Sequence, residues 1–195
     1  MKRAARWVCL GAAVGMLAAC GGNVYKPAPA PEDFPEDLRS EGAASSAGVW
    51  PVHGYGRAAA DAADSVVAGR DMADNDARAD MAKRISTLHG HLRESLLAGL
   101  GSREQGGLEK ADIKAVVKRA GEIAANQSRI TRRQRQADGS WYALAVTDFR
   151  SALREAAENR GLSAAEVDRL MEAAAGSLQG EADQAAKDEA AAENG

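Results

Sequence analysis

Residues that commonly build enzyme active sites are scarce in this sequence. Its 195 residues include two cysteines and three histidines, and aromatic residues make up only 4%. Hydrophobic residues reach 45%, so the apolar content comes mainly from small aliphatic side chains such as alanine. Such side chains favour a small helix-rich body over a large enzyme with a deep cavity. The chain also has no nucleophile elbow, P-loop or zinc-protease motif, and we predict that it is not an enzyme.

The first twenty residues follow the pattern of a bacterial lipoprotein signal peptide. Three basic residues precede an apolar run over residues 7–17, which is too short to cross a bilayer because a span takes about 20 residues. The run ends in Leu-Ala-Ala-Cys at residues 17–20, which resembles the lipobox recognised by the lipoprotein signal peptidase. We expect cleavage after residue 19 and acylation of Cys20 on its sulfur and its amine. An ordinary signal peptide followed by an incidental thiol is the alternative.

Cleavage before Cys20 changes the composition of the mature chain. Cys9 lies in the predicted signal peptide 1–19, so no second thiol remains to form a disulfide. Loss of three basic residues leaves 22 against 28 acidic ones, a formal charge of −6, which does not suit wholesale binding of nucleic acid. Several acyl chains give stable membrane attachment. Gly21, in place of the aspartate that commonly retains lipoproteins at the inner membrane, favours the outer membrane and a protein that faces the periplasm.

Residues 20–48 are predicted to be a lipid anchor followed by a disordered tether. Four of the five prolines fall here among alanine, serine, glycine and acidic residues, and few large apolar side chains are available to bury. Such a segment spans roughly 30 Å as a flexible coil and about 90 Å as a polyproline helix.

Beyond the tether, the hydrophobic pattern predicts an α+β fold in which helices pack on a small antiparallel sheet. Residues 49–160 form the main domain, 161–180 an extra C-terminal helix, and 181–195 a charged tail that is frayed or disordered. The expected elements of the domain are a strand at 49–58, with Pro51 at a sheet edge or at the start of the strand, helices at 65–98, 108–125 and 150–160, and a hairpin over 129–149.

Short motifs mark several turns and helix ends. Asp138-Gly139, between two strand-like runs, predicts a type I′ hairpin turn with positive φ at both residues. Asp148 is a suitable cap for the helix that follows it. Ser163 and Glu166 have the spacing of a capping box at the start of the last helix.

Three stretches of the domain resemble the twenty-kilodalton membrane-associated lipoprotein family, which is related to the amino-terminal domain of flagellar assembly protein T. They are GYGRA at residues 54–58, ARADMAKRI at 77–85 and DGSWYALAVTDF at 138–149, in which residues 138–146 are the most specific piece. The resemblance covers roughly residues 49–160. It implies helices packed on an antiparallel sheet in a bacterial envelope lipoprotein, and it supplies no catalytic residues.

A cluster of arginines on the first strand of the hairpin is the best candidate for a binding surface. Its members are Arg129, Arg132, Arg133 and Arg135. One interpretation is that these charges protect an edge strand from pairing with other chains. The other is that they form a positive patch for carboxylates of cell-wall peptides or of an acidic envelope protein.

Other polar motifs have simple structural interpretations. His89 and His91 are two residues apart, which directs them to different faces of a helix, and we predict no metal site and no cofactor. Gly54 and Gly56 are interpreted as breaks in regular backbone structure with no binding role, since no third glycine completes a dinucleotide-binding fingerprint. A set of helix acids lacks the glycine and glutamate of a calcium loop and is interpreted as solvated charge: Asp71, Asp74, Asp76 and Asp80.

Together these observations predict a lipid-anchored envelope protein with a binding or scaffolding role at the periplasmic face of the outer membrane. Its contacts would be the membrane, through the lipid on Cys20, and an envelope protein or peptidoglycan. The alternatives are an accessory factor of flagellar basal structures and a periplasmic enzyme that acts on the cell wall through a site no local motif reveals. The oligomeric state is left open.

Overall fold

The computed structural model describes residues 28–45, 50–100 and 108–192. These residues form the predicted α+β fold, with helices on both sides of a three-stranded antiparallel sheet. In chain order the elements are α1 (Glu36–Ser45), β1 (Pro51–Ala58), α2 (Val66–Leu100), α3 (Lys110–Asn126), β2 (Arg129–Arg135), β3 (Trp141–Asp148), α4 (Phe149–Asn159) and α5 (Ala164–Ala192).

The central strand of the sheet is β3, which pairs with β1 on one side and β2 on the other. Both outer strands are therefore edges, as Pro51 predicted for β1, and the expected hairpin over 129–149 is confirmed. Side chains of β3 alternate between the two faces, and Ala143, Leu144 and Ala145 are fully buried. The sheet consequently forms the middle layer of the fold.

The α2 face of the sheet carries the main hydrophobic core. Helix α2 lies across this face and contacts α3 and α5, and α4 packs against α3 and α5. Seven apolar residues of α2 recur at intervals of three or four, and all are buried as the pattern predicted: Ala73, Ala77, Met81, Ile85, Leu88, Leu92 and Leu96.

Two glycines of β1 allow this strand to lie directly on α2. A Cβ built on Gly56 would lie 2.8 Å from Ala77 Cα and closer still to the Ala73 carbonyl oxygen. A Cβ on Gly54 would lie 2.7 Å from the amide nitrogen of Met81. The sequence suggested that these glycines only interrupt regular backbone structure. The structure shows instead that they are required for close contact between two backbones.

The hairpin turn differs from the predicted type I′. Gly139 has a φ of 91°, but no described non-glycine residue, Asp138 included, has positive φ. The Gly139 amide donates to the Gln136 carbonyl, and the Gln136 amide donates to the Ser140 carbonyl. This is a three-residue connection with glycine in the left-handed position. The Asp138 carboxylate accepts from the Ser140 amide and hydroxyl, which lowers its pKa and holds the turn in place.

The predicted helix ends are present. The Asp148 carboxylate accepts from the amide of Arg150 and more distantly from that of Ser151, so it caps α4. At the start of α5 the Glu166 carboxylate accepts from the Ser163 amide at 2.8 Å and from its hydroxyl at 2.6 Å. The backbone of α5 continues past Gly180 to Ala192, further than the helix predicted from the apolar pattern.

Residues 28–45, which we call the N-terminal segment, correct the prediction of a disordered tether. They include helix α1 and place Phe34 and Leu38 in a second hydrophobic cluster with Tyr55, Tyr142 and Leu144. This cluster lies on the side of the sheet away from α2, which we call the aromatic face. Two large apolar side chains four residues apart are enough to fix the segment there, because the aromatic face supplies a surface that the local sequence does not reveal.

Candidate functional site

The four arginines of the predicted patch do not form a single surface. The pairing of β2 with β3 shifts between Ile130 and Arg132, so an irregularity interrupts the alternation of side chains. Arg132 lies on the aromatic face, where it meets α1, whereas Arg133 and Arg135 lie on the α2 face. The sequence identified the residues but not their division between two sides of the sheet.

Arg133 has a structural role. Its Nε and Nη2 donate to the two carboxylate oxygens of Asp74 on α2, each at 2.8 Å, and the hydrogen bonds raise the pKa of Arg133. The side chain of Asp74 is only 10% exposed, so the prediction of solvated charge is wrong for this residue. A bidentate pair of this kind fastens the edge strand β2 to the main helix.

Arg132 contacts the N-terminal segment. Its guanidinium lies 3.1 Å from the Glu41 carboxylate and 3.9 Å from that of Asp37. The Gln134 amide, oriented with its NH2 group toward α1, donates to Asp37 at 3.0 Å. The charged side chains of Arg132, Asp37 and Glu41 lie at the surface, so this contact is polar and open to solvent.

Arg129 and Arg135 lie at opposite ends of β2, and both are exposed. Arg135 lines an open pocket of about 210 Å³ together with Trp141, Gly139 and the first turn of α2. Arg129 is on the other side of the irregularity, opposite Val146. Of the four predicted residues, these two fit the solvent-facing cations that the edge-protection interpretation requires.

The most elaborate polar and aromatic arrangement is on the aromatic face, under the N-terminal segment. The Phe34 ring makes edge-to-face contacts with Tyr55 and Tyr142, at centroid distances of 5.2 and 5.0 Å and an interplanar angle of 84° in both cases. Leu38 packs beside it and is 1% exposed. Edge-to-face geometry is a favoured packing of aromatic rings, so the Phe34 ring packs favourably against both tyrosines.

Two further arginines surround these rings. Arg57 of β1 lies 5.6 Å above the Tyr142 ring and forms a 2.7 Å ion pair with Asp33. Arg84 of α2 lies 5.0 Å above the Tyr55 ring and donates to the carbonyl oxygens of Ala28 and Pro29. Cations over aromatic faces in this range are attractive. Sequence reasoning missed both arginines, because nothing in their local sequence relates them to residues 28–45.

Two acids of α2 cover the free edge of β1. The Asp80 carboxylate accepts from the Tyr55 amide at 3.0 Å, and Asp76 accepts from the Arg57 amide at 2.9 Å. These amides point away from β3 in the antiparallel ladder. The prediction of solvated charge is also wrong for Asp80, which is partly buried and pairs with Arg84. Asp76 is exposed as predicted, although it also accepts from a strand amide. Asp71 pairs with its exposed neighbour Arg70.

The histidines do not define a metal centre. Over residues 28–45, 50–100 and 108–192, no group of three or more His, Cys, Asp or Glu side chains is arranged to hold an ion. Burial, followed by the charge of Arg93, lowers the pKa of His89. His53 of β1 is 5% exposed, and burial, followed by the charge of Arg84, lowers its pKa.

The predicted anchor residue Cys20 and the signal peptide lie outside the described residues. Among the helices that the structure describes, none has the length and apolar character needed to cross a bilayer. No protein-family model matches this chain, and no curated protein matches it either.

Proposed function

We propose that this chain is a lipid-anchored bacterial envelope protein whose body binds or scaffolds other envelope components on the periplasmic side of the outer membrane. The strongest support is the lipobox-like sequence at residues 17–20, placed after a basic start and a short apolar run. The resemblance of residues 138–149 to the twenty-kilodalton lipoprotein family agrees with this assignment. The small aliphatic side chains that dominate the apolar composition favour a binding body over an enzyme with a deep cavity.

The position of the N-terminal segment supports a role close to the membrane. Seven residues, and so eight Cα–Cα steps, separate Cys20 from Ala28, where Arg84 holds the backbone. A fully extended chain of that length reaches about 28 Å, against the roughly 90 Å of a tether that ran to residue 48. A lipid on Cys20 would therefore keep the folded body near the bilayer surface. Its accessible partners would be membrane proteins, other lipoproteins and nearby peptidoglycan.

Anchoring is tested with a matched pair of cysteine variants. Cys20→Ser removes the predicted acylation site, whereas Cys9→Ser changes a residue of the predicted signal peptide that the mature chain loses. We expect the Cys9→Ser protein to fractionate with outer membranes and to show, by intact mass, an acylated chain that starts at Cys20. The Cys20→Ser protein should leave the membrane fraction or stay unprocessed. An unmodified thiol on freely soluble wild-type protein would contradict the proposal.

The binding role needs its own test. In-cell crosslinking with mass spectrometry should recover defined envelope partners from wild-type cells. The Gly21→Asp variant, which introduces the residue associated with inner-membrane retention, should exchange those partners for inner-membrane ones. Turnover of a cell-wall substrate by the purified protein would instead favour an enzyme.

A further inference from the structure

We propose that the aromatic face is a recognition surface for acidic amphipathic segments, and that residues 28–45 occupy it in cis as an exchangeable ligand. The inference rests on the proposed binding function and deepens it by naming the surface and the chemistry of the partner. The partner would be an envelope protein that carries a short acidic segment in which an aromatic residue precedes a helix with an aliphatic residue.

The N-terminal segment has the pattern of a docking motif. Its apolar pair, Phe34 and Leu38, is spaced by four residues, and three acids follow the same spacing at Asp33, Asp37 and Glu41. Leu38, Asp37 and Glu41 lie on α1, whereas Asp33 and Phe34 precede its first residue, Glu36. The contacts of the segment nevertheless place an apolar stripe, Phe34 and Leu38, beside an acidic one. Docking of an amphipathic segment against an apolar surface is a recurring mode of peptide recognition.

The surface underneath matches both stripes. The apolar stripe meets Tyr55 and Tyr142, whose rings receive Phe34 edge-on. The acidic stripe meets Arg57 at one end, through Asp33, and Arg132 at the other. In this way an acidic segment of a chain whose formal charge is already negative pairs with two arginines, Arg57 and Arg132, whose side chains stay about half exposed.

The contact is organised so that the segment can leave. Phe34 and Leu38 belong to a hydrophobic cluster separate from the main core, with the sheet between the two. The side chains of the Arg57–Asp33 pair are 45% and 56% exposed, so water screens this pair. The segment adds no strand to the sheet. Its release would thus expose the aromatic face without opening the core on the other side.

The test uses the full chain purified from membranes in detergent, with a fluorescein-labelled synthetic peptide of residues 28–45 as the probe. In the wild-type protein, the covalently attached segment competes at a high effective concentration and should keep peptide binding weak. Phe34→Ala with Leu38→Ala weakens that competitor, and we expect the labelled peptide to bind at least about tenfold more tightly, as judged by fluorescence anisotropy. A labelled peptide that carries Phe34→Ala should not bind.

A second pair of variants keeps the test decisive if the apolar double variant fails to fold. Asp37→Arg with Glu41→Arg repels Arg132 at exposed positions, so the fold should persist while the segment is weakened. The Asp37→Arg, Glu41→Arg protein should bind the wild-type peptide, and a further Arg132→Glu substitution should remove that binding. Arg135→Glu, on the α2 face, is the matched control and should leave binding unchanged.

Two results would overturn the inference. One is that a variant with a weakened N-terminal segment folds but does not bind the peptide. The other is that this variant and the wild-type protein bind the peptide equally. Both measurements are made in detergent and do not depend on a lipid at Cys20, so failure here leaves the anchoring result intact. A positive peptide result with an unacylated Cys20 would instead refute only the proposed attachment.

Discussion

Replacement of Gly56 by alanine tests the close contact between β1 and α2. The added Cβ would lie 2.8 Å from Ala77 Cα, whereas carbon atoms in ordinary contact are about 3.5–4.0 Å apart. The obstacle is helix backbone on one side and the paired strand β3 on the other, so no side chain can rotate away. The strand must therefore withdraw from the helix by about 1 Å, which forfeits roughly half of the dispersion energy of neighbouring contacts.

The expected loss of stability follows from this displacement. Overpacking of a core costs about 1–3 kcal/mol, and we expect the upper end, about 3 kcal/mol, because two backbones collide. For a body of this size that corresponds to a fall in Tm of about 6–12 °C. Urea unfolding followed by far-ultraviolet circular dichroism measures the change.

Gly90→Ala is the matched control for this prediction. Gly90 lies in the same helix α2, and a Cβ built there has no neighbour within 4 Å. The same substitution should therefore stabilise the protein by about 0.5–1 kcal/mol, through helix propensity alone. If Gly56→Ala unfolds within about 0.5 kcal/mol of the wild type, the close approach of β1 to α2 is not what the packing argument requires.

Three further substitutions test polar side chains of the sheet. Arg133→Ala should lower the free energy of unfolding by about 1–2 kcal/mol, because it leaves the buried Asp74 carboxylate without its partner; the cost is limited because Arg133 itself is half exposed and screened by water. The control Arg135→Ala should change the free energy of unfolding by less than about 0.5 kcal/mol. Equal effects of the two substitutions in urea unfolding would refute the pairing. Burial and then Arg84 lower the pKa of His53 below its ordinary 6.5, so its contribution is complete above that pH and is lost as pH falls toward the folded pKa. His53→Gln should therefore flatten the acid side of the stability profile, and an unchanged profile between pH 7 and about 5 would contradict this.

Features with a local cause were predictable from sequence. The apolar stripe of α2 was visible because helix periodicity depends only on spacing along one segment. The caps at Asp148 and Glu166 were likewise visible, since each satisfies amides within three residues of itself. The alternation along β3 is likewise local, but what covers each of its two buried faces is not.

Features that depend on distant partners were not predictable. Phe34 and Leu38 lie in a proline-rich acidic stretch, and their burial requires Tyr55 and Tyr142, which are far away in sequence. The role of Gly56 becomes visible only when α2 is placed behind it. Disorder was the reasonable expectation for residues 28–45 by composition, and a single complementary surface reverses it.

The arginine cluster shows how a small irregularity changes a functional prediction. With strict alternation, odd-numbered residues of β2 would lie on one face of the sheet and even-numbered residues on the other. The register shift between Ile130 and Arg132 reverses this assignment for the residues that follow it. A patch inferred from four nearby cations thus separates into a structural pair, a contact with the N-terminal segment and two exposed ends. The arginines that surround the aromatic face come from β1 and α2 as well as β2, at positions 57, 84 and 132.

The carboxylates of Asp76 and Asp80 also limit how copies of this chain can meet. Joining β1 of one copy to β2 of the next would generate an open-ended ribbon, the arrangement from which filaments grow. The β1 amides of Tyr55 and Arg57 are already engaged, so that head-to-tail route is closed. The other edge, β2, carries the exposed cations Arg129 and Arg135, which oppose pairing with the same strand of a second copy. Molecules crowded on a two-dimensional surface would thus not join through their sheets.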